Sequence, residues 1–454
     1  MTKGIGLKRV SEFRAEYKKV ERILSSCPTV NRKLSVPTEE FVGRQRRVCA
    51  ELKQAGFAVG FVFSDEHYNG DVPYLGGNTN ISIEQVAGVI GRTGFHIVAG
   101  LEGGYIAEQL APRARAIVHK AELLQLADEK YPIRAERLEA VIEAAAGRPL
   151  REIGRIALLT PRQVIPAAVV EYLEKLFGKK NVVDAQSIYF KIKNLKSDRE
   201  MELIRDANVV ADAMLRAMLA VIKPGMFETQ VAGWAYHVGM ELGAEENGFA
   251  VMVGANEANR TLIGKALNRK IKQGDWVHLG VAPKRDGLTS CIRRSVVVGQ
   301  PTADQRWWFN FVSDAYDTGL TAYQDIVKNN KPAKHQEQAL VDFFRARTAL
   351  VNERFGLKIP DLAAFKPYTG THNSGYTECQ EFYGAITLES DEPLAKQVVT
   401  MLDVAIRGIG DHWNAKVLPV DYVVIENTLG KFDRKVVQFN KVPNDCQSLI
   451  GKGI

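Results

Sequence analysis

Residues 195–225 of the chain read LKSDREMELIRDANVVADAMLRAMLAVIKPG. Ser197 and Glu200 have the spacing of a capping box, in which the hydroxyl and the carboxylate each accept a hydrogen bond from a backbone amide at the start of a helix. Pro224 and Gly225 end the helical pattern. Between these signals the apolar residues repeat along one helical stripe: Leu203, Ala207, Val210, Met214, Met218 and Ile222. The stretch therefore predicts a long amphipathic helix that packs against a core.

The sequence on the two sides of this helix predicts two different domains. Upstream, residues 37–190 alternate helical patterns with short apolar runs such as residues 57–63, which indicates an α/β domain with a sheet between helices. Residues 191–198 are polar and basic and are predicted to be an interdomain connection. Downstream, strands and helices come in blocks, which indicates an α+β domain. The predicted division is an N-terminal extension at 1–36, an α/β domain at 37–190 and a larger domain at 191–454.

The composition is that of an ordinary globular protein. Of the 454 residues, 46% are apolar and 25% are charged, and the net charge of +7 comes from basic residues scattered along the chain. This pattern argues against disorder and against nucleic acid as a partner. The five cysteines show no close pairing, and there is neither a secretion-type leader nor an apolar run of about 18 residues. We therefore expect a cytoplasmic protein without disulfides and without a membrane partner.

A series of motifs resembles the creatinase/aminopeptidase P family, which also includes methionine aminopeptidases and prolidases. The motifs occur in the family's order: residues 195–207, KPGMFE at 223–228, NRKIKQGD at 268–275, THNSG at 371–375 and DYVVIENTLG at 421–430. VPYLGG at 72–77, with the helix before it, resembles the family's smaller N-terminal domain. The resemblance implies a C-terminal pita-bread domain, a smaller α/β creatinase-type N-terminal domain, and a homodimer.

The resemblance also locates the residues that hold metals in the family's peptidases. Those enzymes bind two divalent ions through two Asp, one His and two Glu. The corresponding positions in this sequence are Gly280, Cys291, His372, Leu402 (or Asp403 with one residue of slip) and Glu426. With glycine and a thiol in place of the two aspartates, we expect no dinuclear site and no metal cofactor. A single Zn or Fe ion held by His278, Cys291, His372 and Glu426 is the alternative.

The chemistry of creatinase itself does not transfer to this chain. Creatinase lacks metals and uses a histidine as its acid/base, and that position falls on Ile263 here. A glutamate that binds the guanidinium group of creatine falls on Arg293. A basic side chain at that position repels guanidinium and attracts a carboxylate or another anion. The expected substrate is therefore a small anionic molecule.

The resemblance also implies a pocket around His372, in which several ionisable residues would meet. His372 is the expected general acid/base, with Cys291 as a nucleophile or as a buried packing residue. Glu426 or Asp403 would orient the imidazole ring. Further candidate acid/base groups are Glu378 and Glu381, unless the polar loop that carries them only faces water. The candidate substrate-binding residues are Arg293, Arg260, Tyr376, His278 and Asp403, and His278 could equally be a hydrogen-bonded core residue.

Three functions remain open at this point. The first is a metal-independent hydrolase that cleaves a C–N bond in a small molecule. The second is a pita-bread domain that binds a ligand without catalysis. The third is an Xaa-Pro peptidase-like enzyme with a non-standard single-metal site.

Overall fold

The structure is a computed structural model that describes residues 7–125, 135–377 and 385–454. The described residues form two compact units. The N-terminal unit consists of residues 34–125, 135–195 and 375–377, and the C-terminal unit of residues 7–33, 196–374 and 385–454. Within the predicted N-terminal extension lies helix α1 (Leu7–Ser26), which belongs to the C-terminal unit. Among the described residues, no helix combines the length and the apolar character needed to cross a membrane.

The N-terminal unit has a six-stranded mixed sheet with helices. Its helices are α2 (Thr38–Gln54), α3 (Asp71–Gly76), α4 (Leu101–Leu110), α5 (Leu138–Ala146), α6 (Ala167–Phe177) and α7 (Gln186–Asn194). Its strands are β1 (Gly60–Ser64), β2 (Val86–Gly91), β3 (Gly94–Ala99), β4 (Ile117–Lys120), β5 (Ile156–Leu158) and β6 (Val182–Asp184). The strand order is β4-β3-β2-β1-β5-β6, with β1, β2 and β3 antiparallel to one another and the other pairs parallel. The expected α/β architecture is present.

The boundary between the two units falls between residues 195 and 196, within the predicted connection at 191–198. Residues 191–194 are the last turn of α7. Lys193 is buried there, and its Nζ lies 2.6 Å from Asp71 Oδ1. A buried carboxylate therefore recruits a lysine that the local sequence shows only as one of several basic residues.

The C-terminal unit contains five further helices and two sheets. The helices are α8 (Asp198–Val221), α9 (Glu228–Glu241), α10 (Ala303–Asn329), α11 (Lys334–Ala346) and α12 (Thr348–Phe355). The strands are β7 (Glu246–Asn247), β8 (Met252–Ala255), β9 (Trp276–Val281), β10 (Pro283–Arg285), β11 (Leu288–Thr289), β12 (Ile292–Val297), β13 (Thr371–Asn373), β14 (Gln397–Arg407), β15 (Tyr422–Phe432) and β16 (Lys435–Gln438). The large sheet is antiparallel in the order β13-β14-β15-β12-β9-β8, with β16 paired to β15.

Helix α8 is the amphipathic helix predicted at the outset. Its capping box is formed, since the Glu200 amide donates to Ser197 Oγ at 3.1 Å and the Ser197 amide to Glu200 Oε2 at 2.8 Å. All six residues of the predicted apolar stripe are buried, and the last four of them belong to a core that also includes residues of β9 and β12. Residues of α10 form a second core with β14 and β15, including Leu402 and Ile425. Because side chains alternate along a strand, the next residues of these strands point to the opposite face of the sheet.

Candidate active site

The face of the large sheet opposite the helices carries two rows of side chains that cross neighbouring strands. In the first row, Gly280 of β9 pairs with Arg293 of β12, Arg293 pairs with Glu426 of β15, and Glu426 pairs with Asp403 of β14. Residues that pair across antiparallel strands have their side chains on the same face. The sheet therefore brings one cation and two carboxylates together in a single line.

The second row lies two residues along the strands and includes His372. His372 of β13 pairs with Met401, and Met401 pairs with Thr428 of β15. The Thr428 hydroxyl bonds to the backbone of Cys291, accepting from its amide at 3.0 Å. Since Met401 and Asp403 are two residues apart on one strand, His372 faces the same side of the sheet as the first row.

Arg293 lies at the centre of the first row and is almost completely buried, with 5% of its side chain exposed. Its Nη1 donates to Asp403 Oδ2 at 3.2 Å, and its Nε lies 3.7 Å from Glu426 Oε2. Its Nη2 donates to the Tyr422 hydroxyl at 2.6 Å and to the Leu262 carbonyl. The guanidinium group is thus held between two carboxylates by three directed hydrogen bonds.

Gly280 provides the space that Arg293 occupies. A Cβ at position 280 would lie 3.1 Å from Arg293 Cγ and 3.3 Å from Met252 Sδ. Such contacts are tighter than ordinary van der Waals packing, so a larger residue would have to displace the arginine stem. Gly280, where the resemblance predicts a metal-binding aspartate of the family's peptidases, and the arginine beside it are therefore sterically linked.

Two tyrosines complete a ring of hydrogen bonds around Arg293 and Asp403. The hydroxyls of Tyr422 and Tyr368 lie 2.6 Å apart, and the Tyr368 hydroxyl donates to Asp403 Oδ1 at 2.9 Å. Because Tyr368 gives its only proton to the carboxylate, Tyr422 must donate to Tyr368 and accept from Arg293. All donors in the ring therefore run in one direction, from the guanidinium to the carboxylate.

Burial and neighbouring charges shift the pKa values of this ring. Burial, followed by the charge of Glu426, raises the pKa of Asp403 to about 7, although Arg293, His372 and Tyr368 oppose the rise. Burial alone would lower the pKa of Arg293, but Tyr422, Tyr368 and the two carboxylates raise it well above its usual value. Arg293 therefore stays charged, while Asp403 exchanges its proton near neutral pH.

His372 and Glu426 form the part of the site suited to proton transfer. His372 Nε2 lies 3.6 Å from Glu426 Oε1, beyond direct hydrogen-bond range. Its Nδ1 lies 3.1 Å from the carbonyl oxygen of Asn373, which can only accept, so Nδ1 carries a proton. Both oxygens of Glu426 are buried and have no hydrogen-bond partner in the described parts of the chain. The His372 side chain is 16% exposed, more than those of Arg293, Asp403 and Glu426.

His372, Asp403 and Glu426 could also hold one metal ion. One ligand atom from each of the three lies within 4.8 Å of the others, and no other group of three or more His, Cys, Asp or Glu does so in the described residues. Of the two positions that the sequence left open, Asp403 lies on the face of His372 and Glu426, whereas Leu402 belongs to the core on the opposite face. The predicted ligands His278 and Cys291 are outside this group.

Cys291 is fully buried in a small apolar cluster with Ala282 and Met401. Strands β14 and β15 lie between its strand and that of His372, which corresponds to about 14 Å at the usual strand spacing. The structure therefore does not support the predicted thiol–imidazole pair. The geometry agrees with the packing role that was the alternative.

His278 is a buried residue of the same sheet face. Its Nδ1 lies 2.8 Å from Asn259 Oδ1, and its ring meets the Tyr422 ring edge to face at 5.5 Å. Burial, with the nearby charge of Arg293, lowers the pKa of His278 to about 3, so the ring is neutral. His278 therefore packs against the Tyr422 ring, as expected for a hydrogen-bonded core residue.

Arg260 and Tyr376 have hydrogen-bond partners that do not belong to this cluster. Arg260 donates to Asp421 Oδ1 at 3.0 Å and to the Trp413 carbonyl. Tyr376 belongs to the N-terminal unit, where its hydroxyl accepts a hydrogen bond from Arg44 at 2.9 Å. Glu378 and Glu381 lie outside the described residues.

Sequence reasoning missed Tyr422, Tyr368 and Asn259. Tyr422 had a usable signal, because it precedes Glu426 by four residues on a predicted strand and so shares its face. Tyr368 and Asn259 lie outside the strands, where no periodicity indicates the direction of a side chain.

Comparison with known proteins gives a family match over part of the chain. Residues 202–414 match metallopeptidase family M24. The Xaa-Pro dipeptidase of Pyrococcus horikoshii is 25% identical over 233 residues, which are 51% of this chain and 62% of that protein. An uncharacterized peptidase of Bacillus subtilis is 23% identical over 243 residues, 53% of this chain and 65% of that protein. The aligned parts of the chain thus span less than two thirds of these relatives.

Solved structures extend the likeness of fold to most of the chain. The prolidase of Pyrococcus horikoshii superposes with a TM-score of 0.67 at 17% identity and covers 89% of this chain and 99% of its own. The X-Pro aminopeptidase of Thermotoga maritima gives 0.66 at 16% identity, covering 88% and 98%. Both support the predicted α+β architecture, a pita-bread domain after a smaller α/β domain. Residues 202–414 are thus similar to metallopeptidase family M24, and the chain shares the fold of solved prolidases and X-Pro aminopeptidases.

Proposed function

We propose that the chain is a metal-independent hydrolase that cleaves a C–N bond of a small molecule, with His372 as general acid/base and Glu426 as its partner. The observation that carries the proposal is the position of Arg293, whose guanidinium lies between Asp403 and Glu426 at 3.2 and 3.7 Å. It supplies a fixed positive charge at the place where the family's peptidases bind metals.

The residues of the site do not fit a dinuclear metal centre. Gly280 offers no ligand atom, and Cys291 faces Ala282 and Met401. A divalent ion beside Asp403 and Glu426 would also lie within a few ångströms of the Arg293 charge, and like charges at that range repel strongly in a buried site. The carboxylates already have a cation that cannot dissociate.

His372 and Glu426 can perform hydrolysis without a metal. Their facing atoms are 3.6 Å apart, so a hydroxyl or amine hydrogen of a third group can approach both. In the proposed reaction, water adds to the carbonyl carbon while His372 Nε2 accepts its proton. His372 then gives the proton to the nitrogen as the C–N bond breaks. Positioned proton transfer of this kind contributes ~10²–10⁴-fold to the rate.

Turnover in the presence and absence of chelator tests the proposal. We expect a panel of small amides, ureas and Xaa-Pro dipeptides to contain a substrate whose cleavage is unchanged by EDTA and falls ~10²–10⁴-fold in His372→Ala. Glu353→Gln, on the exposed surface of α12, is the matched control and should keep full activity. Activity lost with EDTA and restored by Mn or Zn would contradict the proposal. Absence of turnover on every substrate would favour the ligand-binding module instead.

A second candidate is an Xaa-Pro peptidase-like enzyme with a single metal ion. It is favoured by the grouping of His372, Asp403 and Glu426 within 4.8 Å. Metal analysis separates the two candidates, because the first predicts less than one tightly held ion in the wild type. Arg293→Ala removes the competing cation and should increase divalent metal binding at this cluster. One equivalent of metal in the wild type that disappears in His372→Ala would establish the second candidate.

The proposal also includes a homodimer, a cytoplasmic location and a substrate with a negative charge away from the reacting bond. Sedimentation equilibrium tests the dimer directly. The negative charge of the substrate is inferred from the excess of basic side chains and from Arg293. However, Arg293 already forms an ion pair with Asp403. We therefore assign any anionic group of the substrate to a position outside the ring of hydrogen bonds.

A further inference from the structure

We infer that the reacting group of the substrate carries an N–H and a carbonyl oxygen on one edge, as a primary carboxamide or a urea does. This inference rests on the proposed hydrolase function. It excludes the tertiary amide of an Xaa-Pro bond as the preferred substrate. The argument depends on two buried polar atoms, Arg293 Nε and Glu426 Oε2, which lie side by side at 3.7 Å.

Three of the five N–H donors of Arg293 are in use. Nη1 donates to Asp403, and Nη2 donates to Tyr422 and to the Leu262 carbonyl. Arg293 Nε is buried and has no hydrogen-bond partner in the described chain. A buried donor without a partner costs ~1–3 kcal/mol. Nε is therefore the one nitrogen of Arg293 without a hydrogen-bond partner among the described residues, and it is available to a carbonyl oxygen.

The two carboxylate oxygens of Glu426 are likewise available to accept hydrogen bonds from a substrate. Oε1 faces His372 Nε2 at 3.6 Å and Oε2 faces Arg293 Nε at 3.7 Å, and neither oxygen has a hydrogen-bond partner in the structure as described. The Oε1 side adjoins the proton-transferring imidazole. The Oε2 side adjoins a donor and is suited to a group that both donates and accepts.

The geometry of this donor–acceptor pair selects among amides. A primary carboxamide or a urea presents a carbonyl acceptor and an N–H donor on one edge, so it can accept from Nε and donate to Oε2 together. A trans secondary amide presents these two groups on opposite edges, and an Xaa-Pro amide has no N–H. A carboxylate would be repelled by Glu426. Because His372 is the most exposed member of the cluster, the substrate enters from its side.

The reaction of such a substrate balances with water alone. Water oxygen bonds to the carbonyl carbon, and His372 takes one proton. The C–N bond breaks, and His372 returns the proton to the departing nitrogen. The products are ammonia and a carboxylic acid, or carbamic acid when urea is the substrate. No oxidant, reductant or additional reactant is required.

Matched probes test the inference on the wild-type protein. Benzamide and acetamide are compared with their N,N-dimethyl forms and with Ala-Pro, by saturation-transfer NMR for binding and by ammonia or proline release for turnover. We expect at least tenfold weaker binding of each dimethyl form. Equal binding of the matched amides, or no binding of either N–H-bearing probe at millimolar concentration, would overturn the inference.

Two variants connect the preference to the named atoms. Arg293→Lys keeps the charge but lacks the Nε–H, and Glu426→Gln replaces one acceptor by a donor, so both should reduce the tenfold preference. Glu353→Gln should retain it. Chelator-resistant, His372-dependent cleavage of Ala-Pro with no binding of the primary amides would overturn the inference and leave the hydrolase proposal intact. Metal-dependent turnover of every substrate would overturn the hydrolase proposal itself.

Discussion

Each unit of the molecule buries a cation against a carboxylate, and the two arrangements differ in how completely their atoms are paired. In the N-terminal unit, Lys193 Nζ lies 2.6 Å from Asp71 Oδ1, and the Thr160 hydroxyl donates to Asp71 Oδ2 at 2.5 Å. In the C-terminal unit, Arg293 contacts Asp403 at 3.2 Å, but its distance to Glu426 is 3.7 Å. Both oxygens of Glu426 lack a hydrogen-bond partner in the described residues.

The degree of hydrogen bonding distinguishes an ion pair that stabilises the fold from one that is suited to bind a substrate. A buried charge is tolerated when directed bonds satisfy it, and the Asp71 carboxylate has a bond on each oxygen. The first row of the C-terminal site holds Asp403 equally well, through Arg293 and Tyr368, yet leaves Glu426 open. Unpaired polar atoms next to a fully bonded ring mark the place where a substrate completes the network.

The largest effect is expected from breaking the N-terminal pair. Lys193→Met leaves the Asp71 charge buried without its cation and should lower the stability of this unit by ~3–5 kcal/mol. Urea unfolding followed by limited proteolysis of the N-terminal unit measures the loss. Asp71→Leu combined with Lys193→Met removes both charges and should recover most of the stability. If the single variant lost less than about 1 kcal/mol, the pair would resemble a surface ion pair and the comparison would fail.

A smaller loss is expected from opening the ring around Arg293. Tyr422→Phe removes the acceptor of Arg293 Nη2 and the donor to Tyr368, which should cost the C-terminal unit ~1–3 kcal/mol. Turnover should fall as well, since Nε of Arg293 is no longer held at a fixed position. Tyr105→Phe, at an exposed tyrosine, should change stability by no more than ~0.5 kcal/mol and is the control. Equal stability of the two variants would show that the ring is not formed.

The sequence predicted the parts of this architecture that depend on local pattern. Helix α8 followed from its capping box and its apolar stripe, and the motifs placed His372 and Glu426 on neighbouring parts of one domain. The alternation of side chains along a strand predicts that Arg293 and Cys291, two residues apart, lie on one face of the sheet. It was not enough to decide between Leu402 and Asp403, because adjacent residues face opposite sides and the choice depends on which strand pairs with which.

The parts that could not be predicted depend on partners distant in the chain. Lys193 is bonded to a carboxylate 122 positions away, so its local context shows only a basic stretch. The order of the strands separates Cys291 from His372, and no spacing in the sequence encodes that order. Tyr368 reaches Asp403 from outside the strands. In each case the burial of one group determines the role of another.

The last comparison is between the responses of the two units to pH. Burial and Glu426 raise the pKa of Asp403 to about 7, so the folded state binds this proton more tightly than the unfolded chain. The resulting stability is full below about pH 4 and is lost as the pH rises toward 7. In the N-terminal unit, burial and the neighbouring His119 lower the pKa of His96 to about 4, against the opposing charge of Glu136. That stability is present above about pH 6.5 and is lost as the pH falls toward 4.

As the pH rises, the stability of the C-terminal unit should therefore fall and that of the N-terminal unit should rise. One variant should remove each of these dependences. Asp403→Asn should flatten the change in melting temperature of the C-terminal unit between pH 4.5 and 7. His96→Gln should flatten that of the N-terminal unit between pH 6.5 and 4.5. Differences of about 2–4 °C correspond to 1 kcal/mol in domains of this size, and differential scanning calorimetry resolves them. If Asp403→Asn left the change in melting temperature of the C-terminal unit between pH 4.5 and 7 as it is in the wild type, Asp403 would be ionised throughout that range. Arg293 would then neutralise it completely.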